Sequence, residues 1–455
     1  MTGIKLQDGQ SGLPSPQSTS SFWHSEPSSK LLGHRTTPQL PAEADVVVVG
    51  SGITGTFAAR ELVSQGRGVV LLEAREACWG ATGRNGGHCQ PMVYLSKPEV
   101  ARFELDTYHF LRNMVEYNKI PCSWATVGGV HGVTSRAAWD LVLQRVAFLQ
   151  AWHPDLATVV RLVTDPDELK ALRVAEGAVG AVVQACAAKC WPYKLVAWVL
   201  EGLLASPLFN LQTTTSVLHL QRLETKWMVH TDRGNVTASH VVLATNAYTS
   251  RLLPAMTGII RPVRGQVCAL KPVDGAPPLE HSYVWTAQQE GDAGESDDYL
   301  IQRDSGELIL GGERMAARDT GDGIWRDDEV DPVVGRRLRE ALNLSLTEFP
   351  PKLEAGYEWT GIMGYSVDTQ PWIGKVPESL GGGDGLWISA GYTGHGMPVA
   401  ARGGIVVAEG ILGRKGIEIP QQWEPSLDRV EKARLFKMPE TLEEELSELV
   451  KTQVQ

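Results

Sequence analysis

The stretch Asp45-Val-Val-Val-Val-Gly50-Ser51-Gly52-Ile53-Thr54-Gly55, with Val69-Val-Leu-Leu-Glu73 after it, decides the fold class. Four β-branched residues leading into glycines predict a strand buried on both faces, as in a parallel sheet. Ile53 to Gln65 has helical composition, and Gly66 and Gly68 punctuate its end. Val69–Glu73 is a second buried strand, which completes a β-α-β unit about 30 residues long. Three glycines at this spacing are a weak signal alone, but here they leave a strand and open a helix. Gly50 makes the tight turn, Gly52 lets a diphosphate approach the backbone, and Gly55 lets helix and strand pack closely. The helix start offers free N–H groups and a partial positive charge to that diphosphate. Glu73 stands 18 residues after Gly55, at the end of the second strand, where a carboxylate accepts hydrogen bonds from ribose hydroxyls. The unit predicts a dinucleotide site.

Outward from this unit the pattern stops repeating. Residues 1–42 are rich in Ser, Pro, Gln and Gly and predict a flexible N-terminal arm or a segment wrapped around the fold. Helices are predicted at Pro98–Asn118, Ser135–Trp152, around Pro192–Leu204, at Glu329–Phe349 and in the charged tail Pro439–Lys451, taken to pack on the outside. Strands are predicted at Cys122–Val133, Gln212–Leu218, Lys226–Thr231, Ala238–Ala244, Arg261–Leu270, Tyr299–Gln302, Leu308–Gly311 and Leu386–Gly391. A nicotinamide domain would continue as regular βαβ repeats, whereas this chain inserts long irregular material and returns to a strand–glycine pattern near its end. The expected fold class is α/β, a Rossmann-like FAD-binding domain with an inserted mixed or antiparallel-sheet substrate domain. Residues 43–97, 186–259 and 355–425 are assigned to the first, 98–185 and 260–354 to the second, and 426–455 to a helical extension.

Composition closes off other classes. A chain of 455 residues is about three times a typical domain, and 43% hydrophobic with 21% charged residues is ordinary for a folded protein. A net charge of −11 argues against nucleic acid or anionic lipid as a partner. The longest apolar stretches are broken by glycine or too short to span a bilayer, and no leader or sorting signal is visible, so the expected compartment is the cytosol. Six cysteines do not make a disulfide framework. Cys186 and Cys190 lie four apart on a predicted helix with no ligand pair nearby, so no metal site is expected.

Several motifs together resemble a known family. Gly50–Gly55, Glu73-Ala74-Arg75, Gly80-Ala-Thr82-Gly-Arg84-Asn85-Gly86-Gly87, Val241–Tyr248, Arg261–Val267 and Gly391–Met397 are similar, in order, to the D-amino-acid/glycine oxidase family of flavoproteins. That family includes sarcosine oxidase and γ-glutamylputrescine oxidase. The resemblance implies a glutathione-reductase-type domain and FAD as cofactor. It also implies FAD contacts from Gly50, Ser51, Gly52, Ile53, Thr54, Gly55, Glu73, Ala74 and Arg75, and from the loop residues Thr82, Arg84, Asn85, Gly86 and Gly87. His88 or Cys89 approaches the flavin, or His88 is simply structural. Ala244, Thr245 and Asn246, and possible backbone contact from Val217, fall at the adenine end. The turn Gly391-Tyr-Thr-Gly394-His395-Gly396-Met397 faces the flavin edge that gains negative charge on reduction, and His395 either takes part or only shapes the backbone.

The chemistry implied is hydride transfer to the flavin from a carbon bonded to nitrogen, in a small amine or amino acid, followed by hydrolysis of the imine. Molecular oxygen or another acceptor then takes the electrons. An N-demethylase, a dehydrogenase with a carrier, or a flavin-binding homologue without turnover are the alternatives. The reacting amine must be neutral, which apolar walls or nearby cations favour. Trp359, Tyr365, Trp372 and Tyr392 are candidate walls, each equally able to be core. Arg264 is a candidate cation near the flavin, or else a salt bridge at a domain joint. The resulting catalytic set is His88, Arg264, Tyr365 and Trp372. Two departures stand out. Gly361 occupies the position where some family members carry a flavin-linking cysteine, and the stretch Glu307–Glu313 lacks the lysine carried by oxidases such as sarcosine oxidase.

Overall fold

Val46, Val47 and Val48 have no exposed surface, and their strand, Glu43–Val49, sits at the centre of a parallel arrangement. In this computed structural model, which describes residues 6–174, 177–288, 295–317, 320–346, 349–439 and 441–452, it pairs with Val69–Leu72 on one side and Gly234–Leu243 on the other. Phe209–Gln212 extends the sheet beyond Val69–Leu72, and Leu386–Ala390 lies parallel to Gly234–Leu243. Val217–Arg222 and Trp227–Thr231 form an antiparallel wing on the Gly234–Leu243 strand. The helices Ile53–Ser64 and Ala400–Ile411 bury their small and branched residues against the sheet and each other, in a core shared with Pro192–Leu203.

A second eight-stranded sheet stands apart. Its order is Ala355–Ser366, Ile260–Leu270, Leu308–Gly311, Glu295–Gln302, Ser282–Gln288, Gly129–Val133, Gly180–Gln184 and Val160–Val163. Every pairing is antiparallel except Ser282–Gln288 with Gly129–Val133, so the sheet is mixed. Strand Ala355–Ser366 corrects the expected division. It lies against Ile260–Leu270 along nearly its whole length, Ile260 opposite Ser366 and Ala269 opposite Tyr357, and so belongs to the second sheet. Its alternation of buried and part-exposed residues suits a half-buried sheet, not the doubly covered parallel one.

Three local readings also change. Cys186 and Cys190 are not on a helix: Cys186 follows the strand Gly180–Gln184, and Cys190 follows the two-residue strand Ala188–Lys189. The arm is packed instead of flexible from residue 10 onward, with Trp23 fully buried beside Trp191. Arg35 bridges antiparallel to Gln212, Thr36 N donates to Leu211 O and Thr213 N to His34 O, so the arm covers the open edge of the first sheet. The tail helix, Leu442–Thr452, buries Leu442 and Leu446 against the helix Arg136–Trp152. Among the described residues no helix is long and apolar enough to cross a membrane.

Candidate active site

A cavity of about 1940 Å³, open to solvent, runs between the two sheets. Ligand pockets commonly measure about 300–1,000 Å³, so this one has room for a dinucleotide and a small substrate together. It begins at the glycine turn. Gly50 has φ +105°, and a Cβ there would stand 2.6 Å from Ala244 O, which only glycine avoids. A Cβ on Gly55 would meet Gly50 O, so the third glycine seats the helix on its strand. The helix Ile53–Ser64 has Gly52 as N-cap with no side-chain cap, and Ile53 N donates to Thr82 Oγ1 at 3.1 Å. Glu73 accepts from Ser51 N (3.0 Å) and Ser51 Oγ (2.6 Å) through one oxygen, and from Arg75 N (3.0 Å) through the other. These bonds fix its carboxylate at the carboxyl end of the strand.

Of the expected cofactor contacts, Gly50, Gly52, Ile53, Thr54, Glu73, Ala74, Arg75, Thr82, Arg84, Asn85 and Gly86 line this cavity. So do Val217, Ala244, Thr245, Asn246, Gly394, His395, Gly396 and Met397. Ser51, Gly55, Gly87 and Gly391 do not; they act behind the wall, as Ser51 does by linking Glu73 to Cys78 N.

The two arginines differ from expectation. Arg75 Nη1 reaches both oxygens of Asp327 at 2.9 Å, and its Nη2 donates to Trp79 O. Arg84 donates to Thr360 O, Thr19 O and Thr19 Oγ1, and its Nε lies 3.3 Å from Asp327. Burial, opposed by Asp327, pushes the Arg84 guanidinium down to about 10, so it stays charged at neutral pH. Both charged ends are therefore committed to protein partners, and Asp327, which sequence reading missed, is the hub. Gly361 makes room for this: a Cβ there would stand 3.1 Å from Arg84 Cβ.

The proposed catalytic residues separate. His88 and Tyr365 line the cavity; Arg264 and Trp372 do not. Arg264 pairs with Glu329 at 2.8 Å, a salt bridge within the 260–354 segment and not one at a domain joint. Trp372 is fully buried, donates to Ser366 Oγ at 2.8 Å and lies under the Arg429 guanidinium at 3.6 Å, so it is core. Trp359 is likewise core, its Nε1 bonded to Arg84 O. Tyr392 lines the cavity with its hydroxyl bonded to Thr54 Oγ1 and Ser389 Oγ at 2.8 Å each. Cys89 is buried off the cavity, and burial pushes its thiol well up, which leaves His88 as the reachable side chain of that pair.

His88 Nδ1 lies 3.0 Å from Gly86 O and its ring meets Tyr299 edge-on. Burial pushes it down to about 4, so the imidazole is neutral at pH 7. His131, also held down to about 4 by burial, hydrogen-bonds Tyr94 through Nδ1. The nitrogens His88 Nε2, His131 Nε2 and Gln90 Nε2 are buried with no partner among the described residues, and all three side chains line the cavity. Glu104 stands 3.4 Å from His395 Nε2 and accepts from Met92 N. Burial opposes protonation of His395, but Glu104 outweighs it and raises the imidazole above its ordinary value. Arg314 lines the same region, its guanidinium 5.6 Å from the Tyr365 ring. Leu442, Glu445 and Leu449 of the tail helix also line the cavity. The Leu442, Leu446, Leu449 spacing was the available signal for that placement, since it makes one apolar helix face.

The profile of the family described as FAD dependent oxidoreductase matches residues 45–410. Gamma-glutamylputrescine oxidoreductase of Escherichia coli is 24% identical, over 81% of this chain and 84% of its own. Glycine oxidase of Pseudomonas aeruginosa is 25% identical over 84% and 98%. The crystal structure of glycine oxidase from Geobacillus kaustophilus superposes with a TM-score of 0.71 at 19% identity, covering 85% of this chain and 99% of that one, a likeness of fold. The glycine turn, the fixed carboxylate at its side and a match running from the first buried strand to the last helix on that sheet agree: the chain belongs to the FAD-dependent oxidoreductase family.

Proposed function

We propose that this protein binds one FAD per chain and oxidises the C–N bond of a small amine or amino acid. The observation that carries the reading is the continuity of the cavity, from Glu73 and the glycine turn at one end to Tyr365, His88 and His131 at the other. The residues fit FAD. The start of the Ile53–Ser64 helix, whose Gly52 N-cap has no side chain, suits the diphosphate, Glu73 suits the ribose, and the turn before the Ala400–Ile411 helix suits the flavin with a positive dipole end. When bound, FAD accepts the hydride that leaves the carbon beside nitrogen.

The chain itself must hold the substrate, keep water out and leave its nitrogen neutral. Tyr365 and Tyr299 desolvate the amine, which lowers its pKa, and the Arg314 cation works in the same direction, while Tyr392 is held at the glycine turn by Thr54. The neutral imidazoles of His88 and His131 accept or donate hydrogen bonds without adding charge. Arg314 also suits a carboxylate, which supports an amino acid over a simple amine. Oxygen or a carrier takes the electrons afterwards, and the buried strand Leu308–Gly311 brings no lysine to assist oxygen.

Anaerobic mixing of the yellow protein with a panel of amines and amino acids tests the reading. Loss of the flavin absorption band with at least one compound is expected. A protein that retains FAD and is bleached by none would be a flavin-binding homologue without turnover.

A further inference from the structure

The family match begins at residue 45, so the arm lies outside it, yet residues 10–19 run over the nucleotide half of the cavity. At one end Gln10 Nε2 donates to Ser250 O and Ser11 N to Ser250 Oγ, both at 2.9 Å. Ser250 belongs to the short helix Thr249–Leu252, just past the Thr245–Asn246 turn that ends the Gly234–Leu243 strand. At the other end Thr19 N and Thr19 Oγ1 donate to Asp327 O at 2.8 and 3.0 Å. Asp327 holds Arg75, two residues beyond Glu73. Residues 12–18 therefore pass from the carboxyl end of one strand to the carboxyl end of another, with Glu43–Val49 between them. Those strand ends are two strand spacings apart, about 10 Å, and the anchors at Ser250 and Asp327 stand beyond them. Seven residues can reach about 25 Å, so the segment has slack to arch over a ligand.

The arch faces inward. Leu13 and Pro14 line the cavity together with Glu73, Ala74, Thr245 and Tyr248. Gly12 presses on the Trp325 indole so closely that a Cβ would stand 2.2 Å from its Nε1, and Trp325 O accepts from Tyr248 Oη. Residues 12–18 carry no charge, and two of them are prolines, so the arch offers a stiff, uncharged surface suited to a ribose and a purine face.

We propose that residues 10–19 are a clasp over the adenosine half of FAD, with Leu13 and Pro14 covering it, and that release of the cofactor requires the clasp to open. The inference rests on the FAD reading above. By linkage the effect is mutual: whatever factor the clasp adds to FAD affinity, bound FAD adds to the stability of the clasp.

The test compares wild-type holoprotein with Gly12→Val, Leu13→Gly and a chain lacking residues 1–15. FAD release after dilution, followed by flavin fluorescence, should quicken about tenfold or more in the shortened chain, the scale of losing two hydrogen bonds and their covering contact, and severalfold in each point variant, which disturbs the cover alone. Affinity of the apoprotein for FMN, which lacks the adenosine, should not change. In wild type, amide hydrogen exchange across residues 10–19 should slow when FAD is bound. Release at the wild-type rate in all variants, an equal loss of FMN affinity, or exchange indifferent to FAD would each overturn the clasp. Should the shortened chain fail to fold, the two point variants decide; should those fail, exchange in wild type does. A wild-type protein that neither contains nor takes up FAD would instead sink the cofactor reading.

Discussion

Asp327 shows how one side chain can organise a site without touching a ligand. It is 1% exposed, and two buried guanidinium groups close on it. A carboxylate taken out of water is tolerable only with such partners, and without it Arg75 and Arg84 would face each other uncompensated. Asp327→Asn is therefore expected to cost about 3–5 kcal/mol of stability, read as a drop in denaturation midpoint. A change under about 1 kcal/mol would mean that water already reaches the pair. Glu73 differs, because its oxygens face the cavity while holding Ser51 and Arg75 N. On the proposed FAD reading, replacement by alanine removes a charge-assisted bond to the ribose, about 1.5–3 kcal/mol, or on the order of tenfold or more in FAD affinity by titration of the apoprotein. Unchanged affinity, or FMN found in place of FAD, would contradict that role. At the other end, Arg314→Met should raise KM for a carboxylate-bearing substrate far more than for the matching simple amine. Equal effects on both would remove Arg314 from substrate recognition.

Among the elements, the tail helix Leu442–Thr452 is the one whose placement most changes the site. Leu446 is fully buried against the Arg136–Trp152 helix, while Glu445 and Leu449 face the cavity. Leu446→Asp should unseat the helix, because an unpaired charge cannot replace a packed leucine. The expected result is a raised KM with flavin content unchanged, since the helix packs on Arg136–Trp152 and not in the core around the glycine turn. Loss of FAD in step with activity would mean that the helix braces the whole fold. Other elements mark where sequence reading succeeds. Val46–Val49 and Val69–Leu72 were legible because a doubly covered strand must be apolar at every position, and the glycine turn because close backbone contacts tolerate no Cβ. Strand Ala355–Ser366 was misassigned because its partner, Ile260–Leu270, lies far away in sequence, and alternation reveals a half-buried strand without naming its sheet. Composition left the arm between flexible and wrapped, because Ser, Pro and Gly predominate there. Its order comes from Trp23, Gln10 and Ser11 docking onto distant residues, which no local pattern records.

For the molecule as a whole, the histidines set a pH response that the acidic composition alone would not suggest. His24, stacked on Trp79, is pushed down to about 3 by burial and then by the Arg84 charge; His88 and His131 are held near 4 by burial. In the unfolded chain each would titrate near 6.5, so as pH falls below that value the unfolded state takes up protons that the folded state refuses. Folding stability from these three groups is complete above about pH 6.5 and is lost progressively toward pH 4. His395 works the other way: Glu104 overcomes its burial and raises it, so its share is complete below 6.5 and declines as pH rises through the folded value. Below 6.5 His395 is charged in both states and drops out, leaving up to three protons of difference from these three rings, about 4 kcal/mol per pH unit, to which His109, His153, His219 and His240, also held down by burial, add in the same direction. Most carboxylates titrate below about pH 5, so the interval from 6.5 to 5 isolates the histidines. Thermal unfolding of the holoprotein should show Tm falling across that interval, and falling less steeply in a His88→Asn, His131→Gln double variant. The variant matters because those two rings, unlike His24, border the substrate end of the cavity. A Tm independent of pH between 7 and 5, or a double variant with the wild-type slope, would show that water reaches both imidazoles, and with it that the substrate end is not dry enough to hold an amine neutral.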